Sequence, residues 1–223
     1  MDAKSYEAWY LTPKGRLADI LEKGVVLDLC GIEPGIKVLE IGCGTGHFSA
    51  YFEELGAQVT GLDTSPEMLK LAKNLPGDLK IDFTRGDAYR LPFADNSFDL
   101  VAMITTLEFF SSPKRALKEA FRVSKGKVFL GILNRNSLLA RKRMKSEKKV
   151  WKEAHFYTFK EVLGLLGQDK KIRWKGVIYL PLLNSGFAFG IRLMLEKLLS
   201  ALKLPGGAFV GILAARENDE NLS

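Results

Sequence analysis

Three glycines, Gly42, Gly44 and Gly46, alternate with Cys43 and Thr45 just after Glu40-Ile41, and further acids stand at Asp63 and Asp87. Glycine lets a backbone turn sharply and lets a ligand approach main-chain N–H groups with no Cβ in the way. An acid at the end of the next strand, about twenty residues on, is placed to accept hydrogen bonds from both ribose hydroxyls of an adenosine moiety. Asp63, in VTGLDTS, has that position. Its structural alternative is a helix N-terminal acid offsetting the macrodipole, a place where Ser65 already serves as cap. Asp87, in TRGDAYRLPF, can receive a hydrogen bond from an adenine amino group. Asp99, inside the apolar run FDLVAMI, suits a structural bond to backbone N–H groups. The glycine spacing departs from the dinucleotide fingerprint G-x-G-x-x-G, because His47 stands where its third glycine would fall. No Gly-Lys-Ser/Thr follows, which excludes a P-loop.

These residues need strands and turns to position them. TPKGRLADILEKGVVLDLCGI has helical periodicity, with Leu17, Ile20, Leu21, Val25 and Leu29 on one side and Pro34-Gly35 ending it. IKVLEI reads as a buried strand and HFSAYFEELG as a short helix closed by Gly56. QVTGLD is a second strand, and Ser65-Pro66 starts the helix PEMLKLAKN. LKIDFTRGD, ending at Asp87, is a third strand and FDLVAMITT a fourth. PKRALKEAFRVSK is an amphipathic helix and KVFLGIL a strand. TFKEVLGLLG, capped by Thr158, is a helix, and KKIRWKGVIYLPLL and GGAFVGILAARE are strands. This alternation predicts a parallel sheet covered on both faces, with its ligand-binding loops along the edge that follows the strands.

The chain has 223 residues, 47% hydrophobic and 26% charged, which fits one domain over 1–223. Its first residues lack the order of a signal peptide and no run reaches bilayer length, so a cytoplasmic location is expected. Two cysteines and two histidines are too few for a structural zinc site, and no metal is expected. The net charge of +7 is compatible with nucleic acid, anionic lipid or an acidic metabolite.

The three segments VLEIGCGTG, GLDTSPEML and GDAYRLPFADNSFDLV resemble, in order and spacing, the cofactor motifs of class I S-adenosylmethionine-dependent methyltransferases. The similarity is to the small-molecule group that includes the ubiquinone and menaquinone biosynthesis enzymes. It covers roughly residues 36 to 133 firmly; residues 1–30, 134–160 and 183–206 read as variable substrate-side elements. The resemblance implies a Rossmann-like, seven-stranded, mostly parallel sheet with an antiparallel last strand, and S-adenosyl-L-methionine as cofactor with S-adenosyl-L-homocysteine as product. It implies that Glu40 fixes the methionine amino group, with Gly42, Cys43, Gly44 and Gly46 under the cofactor. Asp63 then binds the ribose, Thr64 and Met68 flank the adenine, and Asp87 and the Ala88 N–H read it. Ile104 and Thr105 lie near the sulfonium. Acids suit a cofactor with a cationic ammonium and a cationic sulfonium; a phosphate would prefer the opposite charge.

Methyl transfer from a sulfonium needs alignment and desolvation, with a general base only where the nucleophile loses a proton. Candidates for base or substrate anchor are Glu108, His155 and Tyr157, each with a structural alternative; His155 can pack under the sheet edge. Tyr6, Tyr10 and Thr12 are placed to close over the cofactor, the alternative being packing at the start of the first helix. ITTLEFF after the fourth strand lacks the Asn/Asp-Pro-Pro-aromatic pattern of base-modifying enzymes. The expected function is therefore methyl transfer to a small, apolar or aromatic acceptor by a monomer or homodimer. The rivals are an RNA or protein methyltransferase using the basic 135–152 stretch, and a non-catalytic cofactor-binding module. The apolar segment 185–204 suits a lid, core packing, a membrane-surface helix or a dimer contact.

Overall fold

The computed structural model describes residues 8–180, 189–202, 204 and 206–216. Tyr6, Phe187 and the polar tail 217–223 lie outside them. Seven strands form one sheet in the order β3-β2-β1-β4-β5-β7-β6. They are β1 (Lys37–Ile41), β2 (Gln58–Asp63), β3 (Ile81–Arg85), β4 (Phe98–Ile104), β5 (Ser124–Leu133), β6 (Lys170–Val177) and β7 (Phe209–Arg216). The first five pair in parallel, and β7 lies antiparallel between β5 and β6. This is the mostly parallel sheet with a reversed last strand expected from the sequence.

Residues alternate across the sheet because successive strand side chains point to opposite faces. Leu39, Ile41, Val101, Met103, Leu130 and Ile212 enter one core cluster. Val38, Leu100, Ala102, Phe129 and Leu213 enter the other. Helix α1 (Pro13–Cys30) and helix α2 (His47–Glu54) cover the second face. Helix α3 (Pro66–Ala72) joins β2 to β3. Helix α4 (Pro113–Val123) covers the first face, together with α7 (Phe159–Leu166), whose capping box joins Thr158 and Glu161. Between these two helices the basic stretch forms α5 (Leu138–Met144) and α6 (Lys149–Glu153). Helix α8 (Phe189–Ala201) precedes β7.

Three local expectations are corrected. Ile20 is 46% exposed, because at about 3.6 residues per turn it falls opposite the stripe of Leu17, Leu21, Val25 and Leu29; the buried Glu22 shares that stripe instead. Helix α1 stops at Gly31, left-handed at φ 57°, rather than at Pro34-Gly35, which turns the chain toward β1. Strand β3 ends at Arg85, so Asp87 belongs to the following turn, where its carboxylate accepts from the Tyr89 N–H at 2.9 Å. The segment LPFADNSFD serves the scaffold: Arg122 bonds the carbonyls of Leu91 and Phe93 and the carboxylates of Asp95 and Glu119. Asp99 accepts from the Lys37 N–H at 2.8 Å, the structural bond expected.

Candidate active site

The glycine loop begins where β1 ends. Gly42 and Cys43 donate their N–H groups to the Leu62 carbonyl at 2.7 and 3.1 Å, which folds the loop back over the end of β2. Gly42 has φ 72°, and a Cβ there would stand 2.3 Å from Thr106 Oγ1, the group that donates to the Gly42 carbonyl at 3.1 Å. Gly44 has φ 55° and, among the described residues, nothing within 4 Å of its Cβ position, so its backbone borders open space there. Both glycines are thus required, one by a close approach and one by its conformation. Gly42→Ala is expected to lower stability by about 1–2 kcal/mol from the left-handed conformation, and more from displacing Thr106. Gly44→Ala should show the first cost alone, so thermal unfolding should rank Gly42→Ala below Gly44→Ala.

Asp63 locks this loop to β2. Its Oδ2 accepts from the Gly44 N–H and its Oδ1 from the Ser65 N–H, both at 2.8 Å. Each carboxylate oxygen has a second lone pair, so acceptor capacity remains for two further hydroxyls. Ser65 caps α3 through the Met68 N–H, as expected. Thr64 is exposed and Met68 half-buried beside it. The chain then links back, with the Gly86 N–H on the Asp63 carbonyl at 3.1 Å. That contact brings exposed Asp87 and buried Ala88 to the same edge as Asp63. Glu40 is 2% exposed, and its Oε2 accepts from Ser49 Oγ on α2 at 2.5 Å. Burial pushes its carboxyl up to about 8.

Ile104 is buried at the end of β4, and Thr105 follows with φ 48°, its N–H on the Gly131 carbonyl at 2.7 Å. A β-branched residue in the left-handed region is an outlier, here at the carboxyl edge beside the glycine loop. From the N-terminal side, Tyr10 stacks on His47 with ring centroids 3.9 Å apart. His47 Nε2 in turn meets Asp19 Oδ1 at 2.6 Å. Tyr10 therefore stands over the first residue of α2. Thr12 caps α1, accepting from the Gly15 N–H at 3.0 Å and donating to the Trp9 carbonyl at 2.7 Å.

Glu108, in the 3-10 turn Leu107–Phe109 after β4, is 1% exposed. Its Oε1 accepts from the Leu133 N–H at 2.6 Å, while its Oε2 is buried with no hydrogen-bond partner among the described residues. Burial pushes this carboxyl up to about 7. Tyr157 is buried, with its ring 4.5 Å from that of His155. His155 itself is exposed rather than packed under the sheet edge, and it is held by its backbone N–H on the Glu108 carbonyl at 2.7 Å.

Two residues that sequence reading missed adjoin this corner. Arg143 lies half-buried over the Trp151 ring, 4.6 Å from its centroid. Glu22, raised to about 8 by burial, couples electrostatically to Arg143, which also feels Glu108 and Tyr10. Both were obscured locally: Glu22 by an apolar helix stripe and Arg143 by a run of like charges.

Three buried carboxyls with raised pKa values give the cofactor-free protein a distinct pH dependence. Between about 4.5 and 8 the unfolded chain has released these protons and the folded chain retains them, so stability falls as pH rises through that window. The expected result is a thermal midpoint that declines from pH ~5 to ~8, with a smaller decline in Glu22→Gln.

Comparison with known proteins agrees with this architecture. A family profile described as a methyltransferase domain matches residues 39–130. An uncharacterized protein of Methanocaldococcus jannaschii is 34% identical over 179 residues, 78% of this chain and 80% of that one. A demethylmenaquinone methyltransferase of Renibacterium salmoninarum is 46% identical over 101 residues, 45% of this chain and 42% of its own length. The chain thus spans less than half of that relative. A crystal structure from Thermotoga maritima, described as an S-adenosylmethionine-dependent methyltransferase and possible histamine N-methyltransferase, superposes with a TM-score of 0.73 at 29% identity. The match covers 96% of this chain and 95% of that one. The fold is that of the Rossmann-like methyltransferases. The chain belongs to the S-adenosylmethionine-dependent methyltransferases.

Proposed function

We propose that this enzyme methylates a small apolar or aromatic acceptor whose nucleophile gives up its proton to Glu108. The observation that carries the reading is the buried, unpartnered Oε2 of Glu108 just past the carboxyl end of β4. The residues on that edge fit the cofactor: Gly44 borders free space, Asp63 retains acceptor capacity, and Glu40 is a buried acid suited to a cationic ammonium. Gly42, Cys43, Gly44 and Gly46 would form the cradle and Asp63 would take the ribose hydroxyls. Thr64 and Met68 would flank the adenine, with Asp87 and the Ala88 N–H reading it. Ile104 and Thr105 would line the sulfonium side, and Tyr10 would close the site from the N-terminus. When bound, the cofactor supplies an electrophilic methyl group with a neutral leaving group.

The chain's own contribution is alignment, exclusion of water and acceptance of one proton. Glu108 Oε2 would accept the proton from the acceptor's N–H or O–H, the electrons of that bond staying on the heteroatom whose lone pair takes up the methyl group. A carboxyl near 7 is suited to this, because it is substantially ionised at neutral pH yet basic enough to take the proton. Two aromatic pairs on the same edge, Tyr89 with Phe110 and His155 with Tyr157, support an apolar or aromatic acceptor. In this reading one domain has its core at 36–133 and its variable, substrate-side elements at 1–30, 134–160 and 183–206. Nucleic acid is disfavoured, because Arg135, Lys149 and Lys152 pair with Glu161, Glu153 and Glu147, and Arg143 turns onto Trp151.

Incubation with methyl-labelled cofactor and fractionated cell extract tests the reading. Label is expected in the small-molecule fraction. Label confined to RNA or protein overturns it, and tight cofactor binding with no label in any fraction favours a non-catalytic module.

A further inference from the structure

Two elements of the chain carry exposed side chains that the cofactor and base assignments do not use: the basic run that forms α5 and α6, and the apolar helix α8. Helix α8 turns the wrong way for a core element. Its polar residues face inward: Glu196, fully buried, accepts from the Tyr179 and Leu180 N–H groups at 2.8 Å each, and Ser200 donates to the Gly176 carbonyl at 2.8 Å. Leu193 packs on the core, but one stripe of its apolar residues faces outward. Ile191, Met194, Leu198 and, one turn on, Leu202 recur at helical spacing and are 47 to 63% exposed. Lys197 is exposed on the same helix, and Glu196 is its one acid among the described residues. Core packing, one of the uses expected for this segment, does not account for that face.

Helix α5 repeats the mixture. Leu138 and Met144 are exposed between the exposed Arg141, Lys142 and Lys145. The two helices belong to one corner of the fold. Helix α5 follows the end of β5, where Leu133 pairs with Phe209 at the start of β7, and α8 leads back into β7. Asn134 ties them by donating from Nδ2 to the Gly207 carbonyl at 2.9 Å, and Leu139 and Leu193 pack on the same core cluster. This corner lies at the carboxyl ends of β4 and β5, the edge that bears Glu108.

We infer that this rim docks on an anionic membrane surface, with the outward stripe of α8 and the exposed Leu138 and Met144 seated at the headgroup boundary and the surrounding lysines and arginines on the acidic headgroups. Apolar side chains interleaved with basic ones are what such an interface selects, since binding adds buried apolar area to electrostatic attraction. Nucleic acid would use the charges and leave four large aliphatic side chains in water. A second copy would cover the aliphatic stripe and bring like charges together. Among the described residues no helix is long and apolar enough to cross a membrane, so the contact is peripheral. The inference does not depend on Glu108 or on the acceptor.

Sedimentation with phosphatidylcholine vesicles, with and without phosphatidylglycerol, tests it on the whole chain. Binding is expected to the anionic vesicles and to weaken at high salt. Met194→Ser with Leu198→Ser should reduce it by about tenfold or more. Lys142→Gln and Lys145→Gln should each reduce it by about fivefold, with cofactor affinity unchanged as the check on folding. The salt response of the unaltered protein needs no variant. Failure to sediment with either vesicle overturns the inference. So does sedimentation indifferent to phosphatidylglycerol, or self-association in lipid-free buffer that the serine substitutions abolish.

Discussion

Replacing Glu108 with glutamine is expected to lower the rate of methyl transfer by about 10²–10⁴-fold while leaving cofactor affinity unchanged. Glutamine keeps the side chain's volume and an oxygen for the Leu133 N–H, so the turn after β4 should hold its place. What it cannot do is accept a proton at the position of the unpartnered Oε2. Because the native carboxyl is held at about 7 by burial, removing its charge costs the fold nothing at neutral pH and relieves the desolvation of the ionised form. The loss should therefore appear in kcat with thermal stability equal to or above that of the unaltered enzyme. A rate within a few-fold of normal, in single-turnover transfer of labelled methyl to the accepting small-molecule fraction, would remove Glu108 from the reaction.

The second large effect is expected at Asp63. Asp63→Ala should weaken cofactor binding by about 1–3 kcal/mol, roughly 5- to 150-fold, through unpaired ribose hydroxyls. It should also lower the stability of the cofactor-free protein, because the Gly44 and Ser65 N–H groups both lose their acceptor. Asp63→Asn retains one of the two carbonyl-type acceptors and should fall between alanine and the native residue in both measurements. Calorimetric titration with S-adenosylhomocysteine gives the affinity, and thermal unfolding without it gives the scaffold cost. Undiminished affinity in a folded Asp63→Ala protein would sink the placement of the ribose.

The parallel sheet and the glycine loop were legible in the chain because their signals are local: an apolar strand, a glycine turn and a capped helix repeat at short spacing. Asp63 was legible for the same reason, standing at a strand end next to Ser65-Pro66. Its bond to the Gly44 N–H was not, since that contact spans 19 residues and exists only once β1 and β2 pair in register. Glu40's partner Ser49 and Gly42's partner Thr106 are hidden in the same way. Thr12 shows the limit of residue type as a guide: a hydroxyl near the site is used up by the helix it starts. His155 shows it too, because its backbone rather than its ring meets Glu108. The two faces of α8 were invisible because a helix rich in apolar residues does not announce that a glutamate and a serine will be its inward side.

The pH dependence of kcat/KM for the native enzyme and for Glu108→Gln tests the central claim most directly. A base acts in its ionised form, so the native profile should rise with pH through about 7 and the variant should lack that rising limb. The same limb in both proteins, or a native profile flat across neutral pH, would contradict proton acceptance by Glu108.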